Sequence, residues 1–112
     1  MTDTLDIKPS PNPAASRAEV IARLREQEQA IREPDATALY IFGSAARDAL
    51  TSDSDVDVFI DYDPEGQFSV VELVRGGELL QAVLGRHVDF GTRDGLHPQL
   101  KDAIEQSSVR VF

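Results

Sequence analysis

Between positions 53 and 63 the chain reads DSDVDVFIDYD, and its aspartates, Asp53, Asp55, Asp57, Asp61 and Asp63, occupy odd positions only. Alternate residues of a strand point to one side, so Asp55 and Asp57 are expected to project together, about 6–7 Å apart along the backbone. Two carboxylates in a partly buried place repel each other and require water or divalent cations for compensation. Hard oxygen ligands, with no cysteine in the chain and no histidine at ligand spacing, favour Mg²⁺, Mn²⁺ or Ca²⁺ over zinc.

Two blander readings compete. The segment SDSDVD could be a solvated loop entering a strand whose outer face is acidic. A calcium loop would use Asp53, Asp55, Asp57 and Asp61 at its positions 1, 3, 5 and 9, but it needs Gly where Val58 stands and a bidentate Glu where Pro64 stands. Those two failures remove it.

A second feature lies just upstream. Gly43-Ser44 directly follows the apolar run ALYIF and precedes a short turn containing Arg47. Such a turn offers backbone N–H groups, glycine permits close approach, and a hydroxyl and a guanidinium add donors, so a phosphate fits there. Ordinary turns also use Gly-Ser, and the pair gains weight only beside the two carboxylates.

The elements that must carry these residues are short and clearly punctuated. Residues 1–13 are polar and proline-rich and are expected to be a disordered arm, with one domain over 14–112. Ser16 and Glu19 form a capping box opening a helix with Val20, Ile21, Leu24 and Ile31 on one face, expected to run to Arg32. Ala38–Phe42 reads as a buried strand, Ala45–Leu50 as a small turn or helix, and Val56–Tyr62 as a second strand. Ser69 and Glu72 make another capping box, and the helix they open stops at Gly85, with Gly76-Gly77 weakening its middle. Arg86–Thr92 is a third strand, and one acid, Asp89, interrupts its apolar frame. Pro98 opens a last helix, and VRVF at the end adds an edge strand. His87 and His97 receive no chemistry; Arg86 and Arg93 either contact substrate or balance surface acids.

The 112 residues, 41% of them hydrophobic, suffice for one modest core. No apolar run approaches a membrane span, no leader pattern is present, and the absence of cysteine fits a cytoplasmic setting. Twenty acidic against 11 basic side chains give a net charge of -9, which opposes direct binding to nucleic acid and suits a basic protein partner.

Gly43-Ser44, Ala46-Arg47, then after six residues Ser54-Asp55, Val56 and Asp57 match the pattern G-S-x-A-R-x(6)-S-D-x-D. With its small size, the chain resembles the minimal nucleotidyltransferases of the polymerase β-like superfamily, the antitoxins paired with HEPN-domain toxins. The resemblance implies an α+β fold, a small mixed β-sheet of three to four strands with helices packed against it. It implies that Asp55, Asp57 and a third carboxylate, for which Asp89 is the well-placed candidate, bind two Mg²⁺ ions, with Mn²⁺ as a substitute. Gly43, Ser44, Arg47 and Ser54 would bind the nucleotide, with Arg47 either on a phosphate or in a buried pair that locks the turn. Asp61 and Asp63 are expected to be solvated. Many members carry Gly after the motif arginine; Asp48 stands there and brings a negative charge near the phosphate site.

The implied activity is transfer of AMP from ATP to a hydroxyl, a tyrosine of a HEPN RNase toxin. Two alternatives remain: an antitoxin acting by contact alone, and a small-molecule nucleotidyltransferase like the aminoglycoside-modifying enzymes. The second is disfavoured because so short a chain leaves little room for an acceptor-binding domain.

Overall fold

A computed structural model describes residues 12–112, so most of the expected N-terminal arm lies outside the described residues. Its last two residues, Asn12 and Pro13, lie against the end of the long helix: Arg23 donates to the Asn12 carbonyl at 2.9 Å, and Pro13 abuts Gly85. Ala14 is fully buried and its N–H bonds to the Leu84 carbonyl.

Helices α1 (Arg17–Arg25) and α2 (Glu28–Arg32) occupy the span expected to be one helix. Ser16 caps α1, its hydroxyl accepting from the Glu19 N–H at 3.1 Å. The break falls at Glu26-Gln27 because a continuous helix would turn Gln27 and Glu28 toward the core between Leu24 and Ile31. With nothing apolar to bury there, Gln27 N–H tightens onto the Leu24 carbonyl and the axis changes.

Strands β1 (Ala36–Phe42), β2 (Val56–Tyr62), β3 (Val88–Thr92) and β4 (Val109–Arg110) form one sheet in the order β3-β2-β1-β4. β1 pairs antiparallel with β2 and β4, while β2 and β3 are parallel, so the sheet is mixed, as expected. Parallel neighbours need a crossover, supplied by α4 (Val70–Leu84). Gly85 ends that helix at φ +67°, a left-handed cap.

The Gly76-Gly77 pair leaves α4 unbroken. A Cβ at Gly76 would meet the Phe90 ring at 2.6 Å, so the glycine forms a notch in which the β3 ring lies. The second capping box is only half formed: Ser69 Oγ bonds to Glu72 Oε1 at 2.7 Å and leaves the backbone N–H groups uncapped. Pro98 lies in a turn ahead of α5 (Lys101–Ser107), which starts three residues later than expected, after His97 Nδ1 accepts from Gln99 N–H.

Period-two alternation sorts the sheet into two faces. Val56, Val58 and Ile60 of β2, with Leu39, Ile41 and Val88, pack with Val20, Leu24, Leu80 and Leu84 of the helices. Asp57, Phe59 and Asp61 face the other way, where Phe59 is wholly buried by Tyr40, stacked at 4.8 Å, Phe42 and the Arg93 guanidinium.

Candidate active site

Gly43 begins α3 (Gly43–Ala46) directly off the end of β1 at φ +65°, a conformation that favours glycine. A side chain there would collide with a carboxylate oxygen of Asp57. The turn holds itself by Arg47 N–H to the Gly43 carbonyl and Ala49 N–H to the Ser44 carbonyl. Ser44 is half-buried, and its hydroxyl has no protein partner among the described residues.

Asp48 explains its own departure from the pattern. Its φ is +58°, so the position demands a left-handed residue, which glycine adopts freely and aspartate tolerates. Its carboxylate accepts from the Arg17 N–H at 2.8 Å, while Arg17 Nη1 donates to the Ala46 carbonyl. The charge therefore caps the start of α1.

Asp57 and Asp89 are register partners on adjacent parallel strands, and Asp55 stands one step outside β2. Burial pushes the Asp57 carboxyl above the usual carboxylate range, Asp89 and then Asp55 push further, and Arg47 partly opposes them. Arg47 is exposed, so it does not form a buried pair. Asp55 is exposed too, with its Oδ2 3.5 Å from His87 Nδ1.

Among the described residues no three His, Asp or Glu side chains converge into a ready-made metal cage. The donor set nonetheless suits magnesium, which is usually held by one or two carboxylates and completed by water and substrate phosphates. Gly43, Arg47, Asp55, Asp57 and Asp89 are thus gathered at one end of the sheet, where β1 finishes and β2 and β3 begin. Ser54 points elsewhere: its hydroxyl accepts from Thr51 N–H at 2.9 Å and lies 3.0 Å from Thr51 Oγ1, shaping the loop that delivers Asp55.

Of the two arginines flanking β3, Arg93 balances acids, one of the two roles expected for it, whereas Arg86 binds backbone carbonyls, a role the sequence did not reveal. Arg86 donates to the carbonyls of Ala14, Thr51 and Ser54, pinning the loop just before the aspartates. Arg93 grips Asp61 with two bonds of 2.6 and 2.9 Å and Glu105 with a third of 2.6 Å. Asp61, expected in solvent, is therefore a fixed ion-pair partner, drawn in because Arg93 also lies over Phe59 and Tyr40 at 5.0 Å. The signals available, an Arg at each end of a strand and an acid on the outer face, do not reveal partners 12 to 72 residues away.

A cavity of about 400 Å³ between α2 and α4 is lined by Ile31, Phe68, Leu79 and Phe90 and contains none of the aspartates. Asp55 and Asp89 are exposed and Asp57 is half-buried, so the carboxylates lie on an open face.

A family model described as a nucleotidyltransferase domain matches residues 23–111. The chain belongs to the nucleotidyltransferase family. Relatives of this nucleotidyltransferase in Methanocaldococcus jannaschii are named as candidate protein adenylyltransferases. MJ0435 is 42% identical over 64% of this chain and 75% of the relative, and MJ1217 is 31% identical over 84% and 96%. A solved structure described as a candidate minimal nucleotidyltransferase superposes with a TM-score of 0.64 at 25% identity, covering 80% of this chain and 93% of that one. A chain of a toxin–antitoxin crystal structure with AMP-PNP shares the fold at a TM-score of 0.67 and 14% identity, covering 82% and 72%. The nucleotidyltransferase has, among its described residues, no helix long and apolar enough to cross a membrane.

Proposed function

We propose that the protein transfers AMP from ATP to a hydroxyl of a partner protein, a tyrosine of a HEPN-domain RNase toxin, and thereby neutralises it in the cytoplasm. The observation that carries this reading is Asp57: half-buried, flanked by Asp55 and Asp89, pressed onto Gly43, and without a salt-bridge partner among the described residues. Such a group calls for a cation. The names of the relatives support a protein acceptor, and the toxin–antitoxin neighbour with its ATP analogue supports a nucleotide and a toxin partner. A net charge of -9 suits a basic partner.

Asp55, Asp57 and Asp89 would hold two Mg²⁺ ions, which supply neutralisation of the attacking and leaving oxygens of an in-line displacement. The Gly43-Ser44 backbone and the Ser44 hydroxyl bind the β- and γ-phosphates, and exposed Arg47 adds a positive charge to them. Asp89 lies nearest the open edge and takes the proton of the acceptor hydroxyl. The hydroxyl oxygen bonds to the α-phosphorus as the bond from that phosphorus to the bridging oxygen breaks, and pyrophosphate leaves. Arg86 keeps the Asp55 loop in register.

The test is incubation with Mg²⁺, labelled ATP and the protein encoded beside it. Label is expected on the partner, and an Asp55→Ala/Asp57→Ala double variant is expected to abolish it. Equal labelling by that variant would sink the proposed chemistry. Loss of labelling with undiminished neutralisation would show contact to be sufficient.

A further inference from the structure

The sheet ends at β3 on one side, and that edge is unusually open. Val56 N–H bonds to the His87 carbonyl, so the parallel register turns the backbone groups of His87, Asp89 and Gly91 toward β2 and those of Val88, Phe90 and Thr92 outward. Of the outward N–H groups, Val88 is covered by Gln81 Oε1 at 3.2 Å. Natural edges are usually blunted by lysine, proline, a bulge or shortness. The sequence VDFGT has none of the first two, its register with β2 is unbroken, and it runs five residues; the opposite edge, β4, has only two residues, one of them Arg110.

The edge also has a wall. Depressions of about 320 and 300 Å³ lie end to end between β3 and α4, sharing Leu73 and spanning His87 to Thr92. Val70 and Val74, on the same side of α4, are 75% and 57% exposed. Asp89 lies in this groove as well as in the candidate active site.

We infer that the β3 edge receives an extended segment of the acceptor protein as a fifth strand, registered so that its hydroxyl-bearing residue lies across from Asp89. The inference rests on the proposed protein-hydroxyl transfer and names how that acceptor is held. Adjacent strands run about 4.8 Å apart and directly opposed side chains stand about 5 Å apart at Cβ, which brings a hydroxyl within reach of the Asp89 carboxylate. Alternation then turns the residues on either side of it toward α4, where Val70 and Val74 favour apolar partners. Glu78 and Asp89 in the groove, with Asp55 3.5 Å from the groove residue His87, favour basic flanks; Arg75 lies on the other flank of α4, over the cavity toward α2. The acceptor motif is therefore apolar–hydroxyl–apolar between basic residues. Transfer there balances as above: acceptor oxygen to α-phosphorus, pyrophosphate out, proton to Asp89.

The probe is the peptide KKVYVKK with two versions N-methylated on complementary alternate residues, followed by amide NMR of the full isotope-labelled chain with Mg²⁺ and ATP. The Phe90 and Thr92 amides are expected to shift with the parent peptide, and label is expected on its tyrosine. Only one edge of an added strand pairs, so one N-methylated version is expected to lose binding and transfer at least about tenfold while the other keeps both. Equal loss by both versions, loss by neither, or still amides at Phe90 and Thr92 would each overturn the inference. A dimer that protects the Phe90 amide without peptide would overturn it in favour of a second copy of this chain. In the same samples the Gly43 and Asp57 amides report on Mg²⁺ and ATP. If they do not move, the nucleotide reading has failed; if they move and the edge does not, only the strand-addition inference has.

Discussion

Gly43 lies directly beneath the carboxylate of Asp57, so closely that the smallest side chain at 43 would collide with it. The Gly43-Ser44 turn and the half-buried acid are thus one structural unit, closed by a glycine at φ +65°.

Gly43→Ala is expected to cost about 1–2 kcal/mol in stability through its left-handed backbone, measured by urea unfolding. Displacement of Asp57 by even about 1 Å is expected to lower AMP transfer at least about a hundredfold. Full activity in Gly43→Ala would show that the contact is dispensable.

The raised Asp57 carboxyl makes metal-free stability depend on pH. Because the folded chain holds that proton more tightly than the unfolded chain, stability is greatest below the ordinary carboxylate range. It falls as pH rises from that range through the raised value and is level above it. Asp57→Asn removes the unfavourable charge facing Asp55 and Asp89 and the weaker attraction to Arg47. Without metal it is expected to melt higher than the parent at neutral pH, with the gap closing in acid. Mg²⁺ is expected to raise the parent's melting temperature and leave that of Asp57→Asn nearly unmoved.

Arg86→Ala is expected to fold yet lose about tenfold to a hundredfold in transfer rate, because the carbonyls of Thr51 and Ser54 lose their clamp. Faster amide exchange across residues 51–55 is the accompanying signature. Unchanged exchange there would remove Arg86 from a positioning role.

Arg93→Ala is expected to cost about 2–3 kcal/mol by urea midpoint, since it strips Asp61 and Glu105 of their partner and uncovers Phe59. Arg93→Lys should recover little of this, because an ammonium cannot grip Asp61 through two parallel bonds and lie flat over two rings.

Asp48→Gly and Asp48→Ala separate backbone from capping. The glycine variant relieves the positive φ while losing the Arg17 cap and is expected within about 1 kcal/mol of the parent; the alanine variant keeps the strain, loses the cap and is expected to fall by about 1–3 kcal/mol. A thermal melt of both against the parent decides it.

What could be read from the sequence was local. The GSAAR turn, the Asp55–Asp57 spacing and the acid at 89 between Val88 and Phe90 each involve neighbours a few positions apart, and strand periodicity sets the facing of Asp57 and Asp89. Strand existence was legible for the same reason, while the break at Glu26-Gln27 depended on what the helix had beneath it. The contacts of Arg86 and Asp48, and the particular acid Asp61 that Arg93 holds, were not legible because these partners lie more than 30 residues away, or because a φ angle is announced by no side-chain pattern. Asp61 differs from its solvated expectation for the same reason: its strand position gives the face, and the cation that covers it comes from another element.

The notch at Gly76 bears on how such a domain would be engineered. Replacing a mid-helix glycine by alanine is a routine route to a sturdier protein, promising about 1 kcal/mol in an exposed helix. Here the added methyl would meet the Phe90 ring and prise α4 from the strand that carries Asp89. The residue that a propensity scale marks for improvement is the one that sets how far the helix stands from β3.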